Sequence, residues 1–454
     1  MIIRLRVKNF LSFHDEVEFC MIPGQGRLKQ EHKSKPIGGY SVLKTSAVYG
    51  ANAGGKSNLV KAIAFLKYMV LQGTRPDSLI DYHKFLLSKE ARENNSKLEI
   101  EFQSENKNYD YGIEFNNEGI VNEWLYEFTK RSENLIYERK GNQFTLDGLL
   151  KRNKSDESRQ YLQFFAQSTP NNQLFLHEVF TRNIKDNVND ISDLTSVINW
   201  FLYTLKIIFP GTGYKHGVML QAADDVELQR FYAVLLRYFD TGIDSIKLHE
   251  VDIEKLGIPQ ALLRDIKSDL LKSNGKDAYG ALSFEDELYM VSAENGVVKT
   301  KKLITIHKMI DGGKNDIAMF SLSNESDGTK RLFDLIPIFY ENGRGSLILI
   351  DEIDRSLHTN LTRKFLELFF EIVEDRECQL VATTHDSNLL DLELLRQDEI
   401  WFVERQADHS SKVFSLNKFK ERFDKKIDKE YLLGRYGAIP VFDDDFVLED
   451  AYEE

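Results

Sequence analysis

The beginning of the chain alternates between apolar and polar side chains. The apolar positions of this alternation are Ile3, Leu5, Val7, Val17 and Phe19. A period of two is typical of a strand with one buried face, so residues 1–20 predict a β-hairpin. The same alternation predicts an antiparallel meander over residues 97–128, and residues 133–150 predict a further strand pair.

The middle of the chain changes to apolar residues at helical spacing. The helices predicted from this period span residues 193–209, 226–239 and 262–271. Pro210 is expected to end the first of them, because proline cannot continue a helix. A short strand pair, at residues 288–290 and 304–306, is predicted to follow.

Buried strands alternate with helices in two further parts of the chain. The strands predicted from apolar runs span residues 46–49, 346–350, 379–383 and 399–403. The helices predicted between and beside them span residues 58–71, 332–339 and 361–370. This alternation is typical of an α/β fold with a mainly parallel sheet, in which polar groups collect at the strand ends.

Composition narrows the class of protein. A chain of 454 residues with 42% hydrophobic and 29% charged residues is expected to fold into two or three globular units. No apolar run approaches membrane-spanning length. The two cysteines, Cys20 and Cys378, form no metal or disulfide pattern, which favours a reducing cytoplasm. A net charge of −13 argues against non-specific coating of nucleic acid but leaves room for one basic groove.

A glycine-rich segment, residues 50–57, lies between the first of these apolar strands and its helix. It fits the pattern G-x-x-x-x-G-K-[ST] of a phosphate-binding loop, in which backbone N–H groups and a helix start surround the phosphates. Lys56 is expected to reach the β- and γ-phosphates, and Ser57 to hold Mg²⁺. The residues predicted to bind the nucleotide here are Gly50, Asn52, Gly55, Lys56, Ser57 and Asn58.

Polar residues at two later strand ends complete the requirements of phosphoryl transfer to water. Asp351 follows an apolar strand and is predicted to bind Mg²⁺, and Glu352 is predicted to be the general base. His385 follows another strand and is predicted to reach the γ-phosphate. Each feature alone is common at ordinary strand ends, but here they follow the phosphate loop and a Ser-x-Gly-Thr segment (326–329) in order.

This order of parts resembles the ATP-binding-cassette ATPases, and the opening residues 3–13 resemble the N-terminal strand of their SMC/RecF branch. Residues 396–404 and 431–440 further resemble RloA/AbiL-type AAA-family ATPases of bacterial phage defence, and the ATPase subunits of PARIS and Septu systems. The resemblance implies an α/β head with a mixed sheet flanked by helices, an antiparallel β subdomain and a mostly helical insertion. The expected divisions are an N-terminal lobe at 1–130, the insertion at 131–310 and a C-terminal lobe at 311–454.

The resemblance also implies a mechanism. Two heads enclose two ATP molecules, and each ATP on one phosphate loop is completed by the signature segment of the other chain, here Ser326, Gly328 and Thr329. Asp327 departs from the small glycine usual in this signature. Residues 354–356 would contact the opposite site, and Gln72 is either a metal-binding glutamine or a solvated helix end.

The function expected from the resemblance is a slow ATPase that acts as a sensor or scaffold in an abortive-infection system. Its partners would be a second copy of itself and a nuclease encoded nearby, of TOPRIM (RloB-like) or HNH type, with DNA or a phage protein as trigger. An OLD-like nuclease would need a second acidic cluster, for which only Asp443, Asp444 and Asp445 are available. An SMC/RecF-like repair ATPase would need a basic groove, with candidates among residues 418–429.

Overall fold

The computed structural model describes residues 1–440 except 76, 183, 212–224, 273–277, 286, 295–296, 312–315, 342–344, 375 and 423–424. Packing divides the chain into two compact units. The first comprises Met1–Ile208, Arg344–Ile353 and Val373–Glu454, and the second comprises Phe209–Gly343 and Asp354–Ile372. The lobe boundaries expected from the sequence remain predictions. The acidic triplet at residues 443–445 lies outside the described residues.

The described strands are β1 (Ile2–Lys8), β2 (Val17–Cys20), β3 (Thr45–Tyr49), β4 (Ser96–Ser104), β5 (Lys107–Phe115), β6 (Ile120–Phe128), β7 (Glu133–Lys140), β8 (Gln143–Thr145), β9 (Leu205–Ile208), β10 (Ser245–Val251), β11 (Ala278–Phe284), β12 (Glu287–Glu294), β13 (Val297–Lys308), β14 (Ile317–Ser321), β15 (Leu347–Ile350), β16 (Gln379–Thr383), β17 (Ile400–Arg405) and β18 (Ser411–Ser415). The described α-helices are α1 (Lys56–Leu71), α2 (Lys89–Glu93), α3 (Asp147–Arg152), α4 (Asp156–Gln167), α5 (Phe175–Arg182), α6 (Ser192–Asn199), α7 (Val226–Tyr238), α8 (Gln260–Lys272), α9 (Asp327–Leu335), α10 (Pro337–Glu341), α11 (Thr359–Val373) and α12 (Ile427–Leu432).

An antiparallel sheet in the first unit contains the N-terminal hairpin and the meander. Its order is β2-β1-β4-β5-β6-β7-β8, which confirms the hairpin, the meander and the strand pair predicted from alternation. The apolar side chains of one face, such as Leu98, Ile100 and Phe102, are fully buried. The rings of Phe102 and Trp200 stack with centroids 4.1 Å apart, so this face forms part of the hydrophobic core.

A mixed six-stranded sheet in the same unit has the order β18-β17-β3-β16-β15-β9. All adjacent pairs are parallel except β17 with β18, which are antiparallel. Every residue of β3, β15 and β16 is buried. Burial on both faces explains why these strands read as continuous apolar runs rather than alternating ones. The predicted combination of a mixed sheet, flanking helices and an antiparallel sheet is therefore confirmed.

The helix predicted over residues 193–209 is wrong in its last part. Helix α6 ends at Asn199, a π-helical turn covers Trp200–Thr204, and the chain then forms β9. Strand β9 pairs in parallel with β15, from Leu205 opposite Leu347 to Ile208 opposite Ile350. Helical spacing of apolar residues could not reveal this change, because the pairing partner lies far away in the sequence.

The second unit contains an antiparallel sheet of order β10-β13-β12-β11, with β14 also paired to β13. The predicted pair at residues 288–290 and 304–306 is confirmed as parts of β12 and β13, and the helices predicted at 226–239 and 262–271 are confirmed as α7 and α8. Strands β10, β11 and β14 were not predicted. A small core holds this part together, made of Ile253, Ile258, Leu263 and Val291.

Candidate nucleotide-binding site

The phosphate loop connects β3 to α1, as its motif requires. Lys56 is buried, and its Nζ donates hydrogen bonds to the carbonyl oxygens of Gly50, at 2.7 Å, and Ala51, at 3.1 Å. The lysine side chain therefore lies across the loop, with its ammonium group held at the loop's own carbonyl oxygens. Asn52 is exposed, and Ser57 and Asn58 are half-buried at the start of the helix.

Backbone geometry makes the start of α1 suitable for an anion. Gly55 precedes the helix with φ of +109°, a conformation that side chains with a Cβ rarely adopt, and it provides no side-chain cap. The first N–H groups of a helix need an acceptor, and a phosphate supplies one in the positive field of the helix dipole. A Cβ at Gly50 would overlap the carbonyl oxygen of Val403, so glycine also lets the loop pack on β17.

Two serines outside the motif support the loop. The amide Nδ2 of Asn58 donates to Oγ of Ser12 at 2.8 Å, the Ser12 and Ser411 hydroxyls lie 2.8 Å apart, and Oγ of Ser411 lies 2.7 Å from the carbonyl oxygen of Gly54. With one proton on each hydroxyl, all three hydrogen bonds can be donated in one direction: from Asn58 to Ser12, from Ser12 to Ser411, and from Ser411 to the carbonyl oxygen of Gly54. Neither serine was predicted from the sequence to be a site residue, although Ser12 lies within residues 1–20, which predict the N-terminal hairpin.

Asp351 and Glu352 follow β15, and both are linked to Thr383 on the neighbouring strand β16. Thr383 Oγ1 donates to Oδ1 of the buried Asp351 at 2.7 Å and accepts from the backbone N–H of Glu352 at 2.8 Å. Glu352 has φ of +53°, which is costly for a non-glycine residue. The bond to its N–H holds that conformation, so Thr383 orients the Asp351 carboxylate and the backbone of Glu352.

The parallel register brings the predicted groups of this unit to one edge of the sheet. The phosphate loop follows β3, His385 comes two residues after β16, and Asp351 follows β15, with β16 lying between the other two strands. The carboxyl ends of parallel strands share one edge, which is where open α/β sheets bind ligands. His385 is exposed and Glu352 is half-buried at this edge.

Gln72 is not at this edge. It follows the last residue of α1, and the 16 residues of that helix extend about 24 Å from the phosphate loop. The alternative interpretation as a helix end, rather than a metal-binding glutamine, fits this position.

The signature segment lies in the second unit, at the start of α9. Oγ of Ser326 accepts the backbone N–H of Thr329 at 3.1 Å and thereby caps the helix. A Cβ at Gly328 would lie 2.8 Å from the carbonyl oxygen of Ser356, so glycine permits close contact with residues 354–356. Asp327 is exposed in the first turn, with 84% of its side chain accessible.

The donor set fits a magnesium nucleotide. Mg²⁺ prefers oxygen ligands and usually shares its coordination among one or two protein groups, phosphate oxygens and water. The Ser57 hydroxyl and the Asp351 carboxylate are groups of this type at the sheet edge. Among the described residues, no cluster of three His, Cys, Asp or Glu side chains forms a metal site made by protein groups alone.

The two C-terminal motifs that carried the resemblance mainly hold the first unit together. Arg396 forms an ion pair with Asp398, with Nη2 and Oδ2 2.7 Å apart, and the buried Glu399 accepts from Nδ1 of His32 at 2.9 Å. Burial raises the pKa of Glu399, and the contact with His32 opposes that rise. Oε1 of Glu404 accepts the N–H of Ala438 at 3.1 Å, which connects the two motifs.

A glycine loop at a helix start, with an acidic pair and a histidine at the same edge of a parallel sheet, defines the class of P-loop nucleotide-binding domains. The chain belongs to the family described as "AAA domain, putative AbiEii toxin, Type IV TA system", whose model matches residues 46–391, about three quarters of the chain. No curated protein sequence shows significant similarity to it.

Among solved structures, the chain is similar to SMC head domains. One is the head domain from Thermotoga maritima, with 12% identity, coverage of 91% of this chain and 98% of that one, and a TM-score of 0.36. A second is an SMC head bound to the C-terminal winged-helix domain of ScpA, with 14% identity, coverage of 91% and 97%, and a TM-score of 0.37. A third, from Pyrococcus furiosus, has 14% identity, coverage of 95% and 99%, and a TM-score of 0.33.

Within the described residues, no helix is both long enough and apolar enough to span a bilayer.

Proposed function

We propose that this chain is a magnesium-dependent ATPase in which each nucleotide is held by one copy and completed by a second. The observation that carries the proposal is the shared sheet edge of the phosphate loop, Asp351–Glu352 and His385. Lys56 and the start of α1 bind the phosphates, and Ser57 and Asp351 hold Mg²⁺. Glu352 activates the water, and His385 contacts the γ-phosphate.

The second copy supplies what the phosphate loop lacks. The start of α9 offers backbone N–H groups, the Ser326 hydroxyl and Thr329 to a triphosphate on the opposite chain. ATP then lies between two heads and stabilises their association, and hydrolysis removes the γ-phosphate that both heads contact. The exposed carboxylate of Asp327 at the same helix start is expected to weaken this contact, and turnover is therefore expected to be slow.

Steady-state hydrolysis by the purified chain tests the chemistry. Lys56→Ala and Glu352→Gln are expected to abolish magnesium-dependent ATP hydrolysis, the first through loss of binding and the second with binding retained. Lys61→Ala, on an exposed position of the same helix, is the matched control. Turnover at the wild-type rate in either of the first two variants would overturn the proposal.

The biological role proposed is control of a partner nuclease in an abortive-infection system. It is supported by the family description, which names the AbiEii toxin of a type IV toxin–antitoxin system. A nuclease encoded beside this chain should co-purify with only one of two variants, either ATP-bound Glu352→Gln or Lys56→Ala. Equal co-purification of the nuclease with both variants would show that nucleotide state does not control the partner.

One observation favours DNA binding as a second candidate function. Arg27, Lys29 and Asn417 line the same shallow cavity of about 190 Å³, and Lys418 and Lys420 are exposed directly after it in the sequence. Two basic segments thus meet on a chain of net negative charge. Binding to duplex DNA that weakens steeply with salt, and is lost in Lys418→Glu/Lys420→Glu, would support this candidate.

A further inference from the structure

The segment that leads into the signature is tied to the antiparallel sheet of the second unit at every second residue. Nζ of Lys302 donates to Oγ of Ser321 at 2.8 Å, and the Ser323 hydroxyl donates to Oε1 of Glu287. Lys302 and Glu287 also form an ion pair at 3.0 Å, so the first two ties support each other.

The third tie is at Glu325, the residue before Ser326. Its Oε1 accepts from the hydroxyl of Thr305 and lies 2.9 Å from Nε2 of His307. Because an ionised carboxylate can only accept, Nε2 of His307 carries the proton in this contact. Thr305 is fully buried, and only 9% of the Glu325 side chain is exposed. The ring of Phe320 packs against His307 with centroids 4.9 Å apart.

These contacts fix the point at which α9 begins. Ser326 caps that helix, and the preceding residue in the chain, Glu325, is held by side chains of β13. A buried charge-assisted hydrogen bond fixes both distance and direction. By contrast, the signature residues themselves are exposed or half-exposed, apart from Thr329.

We propose that Glu325 is a positioning residue, held by Thr305 and His307, that sets the signature segment for a nucleotide bound to the second copy. This inference rests on the proposed function, since it concerns the same cross-chain site. The sheet of the second unit then has a role in catalysis: it decides whether the signature is correctly presented, although none of its strands is predicted to touch ATP.

Complementation between two inactive variants tests this inference. Glu325→Ala should bind a fluorescent ATP analogue as tightly as wild type, because its own phosphate loop is intact, and its kcat should fall roughly ten- to hundredfold. In an equal mixture with Lys56→Ala, about half of the dimers should be heterodimers, and each heterodimer has one complete site of its two. About one quarter of wild-type turnover should therefore return. Glu325→Gln keeps the accepting Oε1 and should remain close to wild type, as should Glu250→Ala, an exposed carboxylate on β10.

Ser326→Ala mixed with Lys56→Ala is the reference. If this reference mixture regains activity and the Glu325→Ala mixture does not, the positioning inference is overturned while the proposed function stands. If neither mixture regains activity, the cross-chain site itself is wrong. Loss of ATP binding by Glu325→Ala would also overturn the inference, because a misfolded chain rather than a misplaced signature would then explain the defect.

Discussion

The hydroxyl of Thr383 lies 2.7 Å from Oδ1 of Asp351 and donates to it. The same oxygen accepts the N–H of Glu352, so one side chain orients both acidic residues predicted for catalysis. Partners of this kind fix the direction of a metal ligand's lone pairs and hold the neighbouring backbone in its left-handed conformation. Thr383 is itself fully buried, which makes this arrangement rigid.

Replacing Thr383 by valine should lower ATP turnover by about 10- to 100-fold and raise the magnesium concentration needed for half-maximal rate. Valine has the same shape but cannot donate to Asp351 or accept from Glu352. Thr383→Ser keeps the hydroxyl and is the control. An unchanged magnesium dependence in Thr383→Val would show that the contact has no influence on the metal site.

Replacing Ser411 by alanine should weaken ATP binding roughly fivefold, equivalent to about 1 kcal/mol for one hydrogen bond. The hydroxyl supports the loop at Gly54 and connects it to Ser12. Isothermal titration with a non-hydrolysable ATP analogue measures the loss. In a double-mutant cycle, Ser12→Ala should add little to Ser411→Ala, and full additivity would contradict the proposed chain of hydrogen bonds.

Gly328→Ala should leave ATP binding intact and reduce hydrolysis by roughly tenfold or more, because the new Cβ must displace Ser356 or tilt α9. The measurements are the analogue's Kd and kcat. Gly211→Ala is the matched control, since no atom of the described residues lies within 4 Å of a Cβ at that position. A Gly328→Ala variant with normal kcat would mean that the close contact has no part in turnover.

Asp110 provides a prediction about pH. Burial, together with the nearby Glu99 and Glu101, raises its pKa to about 8, and among the described residues its Oδ1 has no hydrogen-bond partner. A carboxyl with a raised native pKa binds more protons when folded, so its contribution to stability falls as pH rises from about 4 to 8. Asp110→Asn should therefore raise the free energy of unfolding at pH 8.5 by roughly 1–3 kcal/mol.

The gain from Asp110→Asn should shrink as the pH falls from about 8 toward 4, and it should vanish below about pH 3, where the carboxyl is protonated in both the folded and the unfolded chain. Urea denaturation at several pH values measures this dependence. Asp81→Asn, at an exposed position, serves as the control and should show no such trend. Lower stability of Asp110→Asn than of wild type at pH 8.5 would refute the interpretation.

The sequence determined the strands and helices whose periods were long and regular. Alternation revealed the hairpin and meander of the antiparallel sheet, and the glycine loop revealed the connection from β3 to α1. Strand β9 was missed, because residues 205–208 fit the preceding helical spacing and only their pairing with β15 shows them to be a strand. Strands β10, β11 and β14 were missed for a similar reason, since antiparallel partners supply hydrogen bonds that local patterns do not record.

For the candidate site, the sequence by itself determined which residue types are present and in what order: the glycine loop, the acidic pair, the histidine and the Ser-x-Gly-Thr segment. Only the tertiary structure decided that β16 lies between β3 and β15, and that Thr383, Ser12, Ser411 and Glu325 hold the other residues in place. The physical reason is that a side chain's chemistry is local and can be read from its type. A supporting hydrogen bond joins residues up to hundreds of positions apart, and it exists only once the sheets have formed.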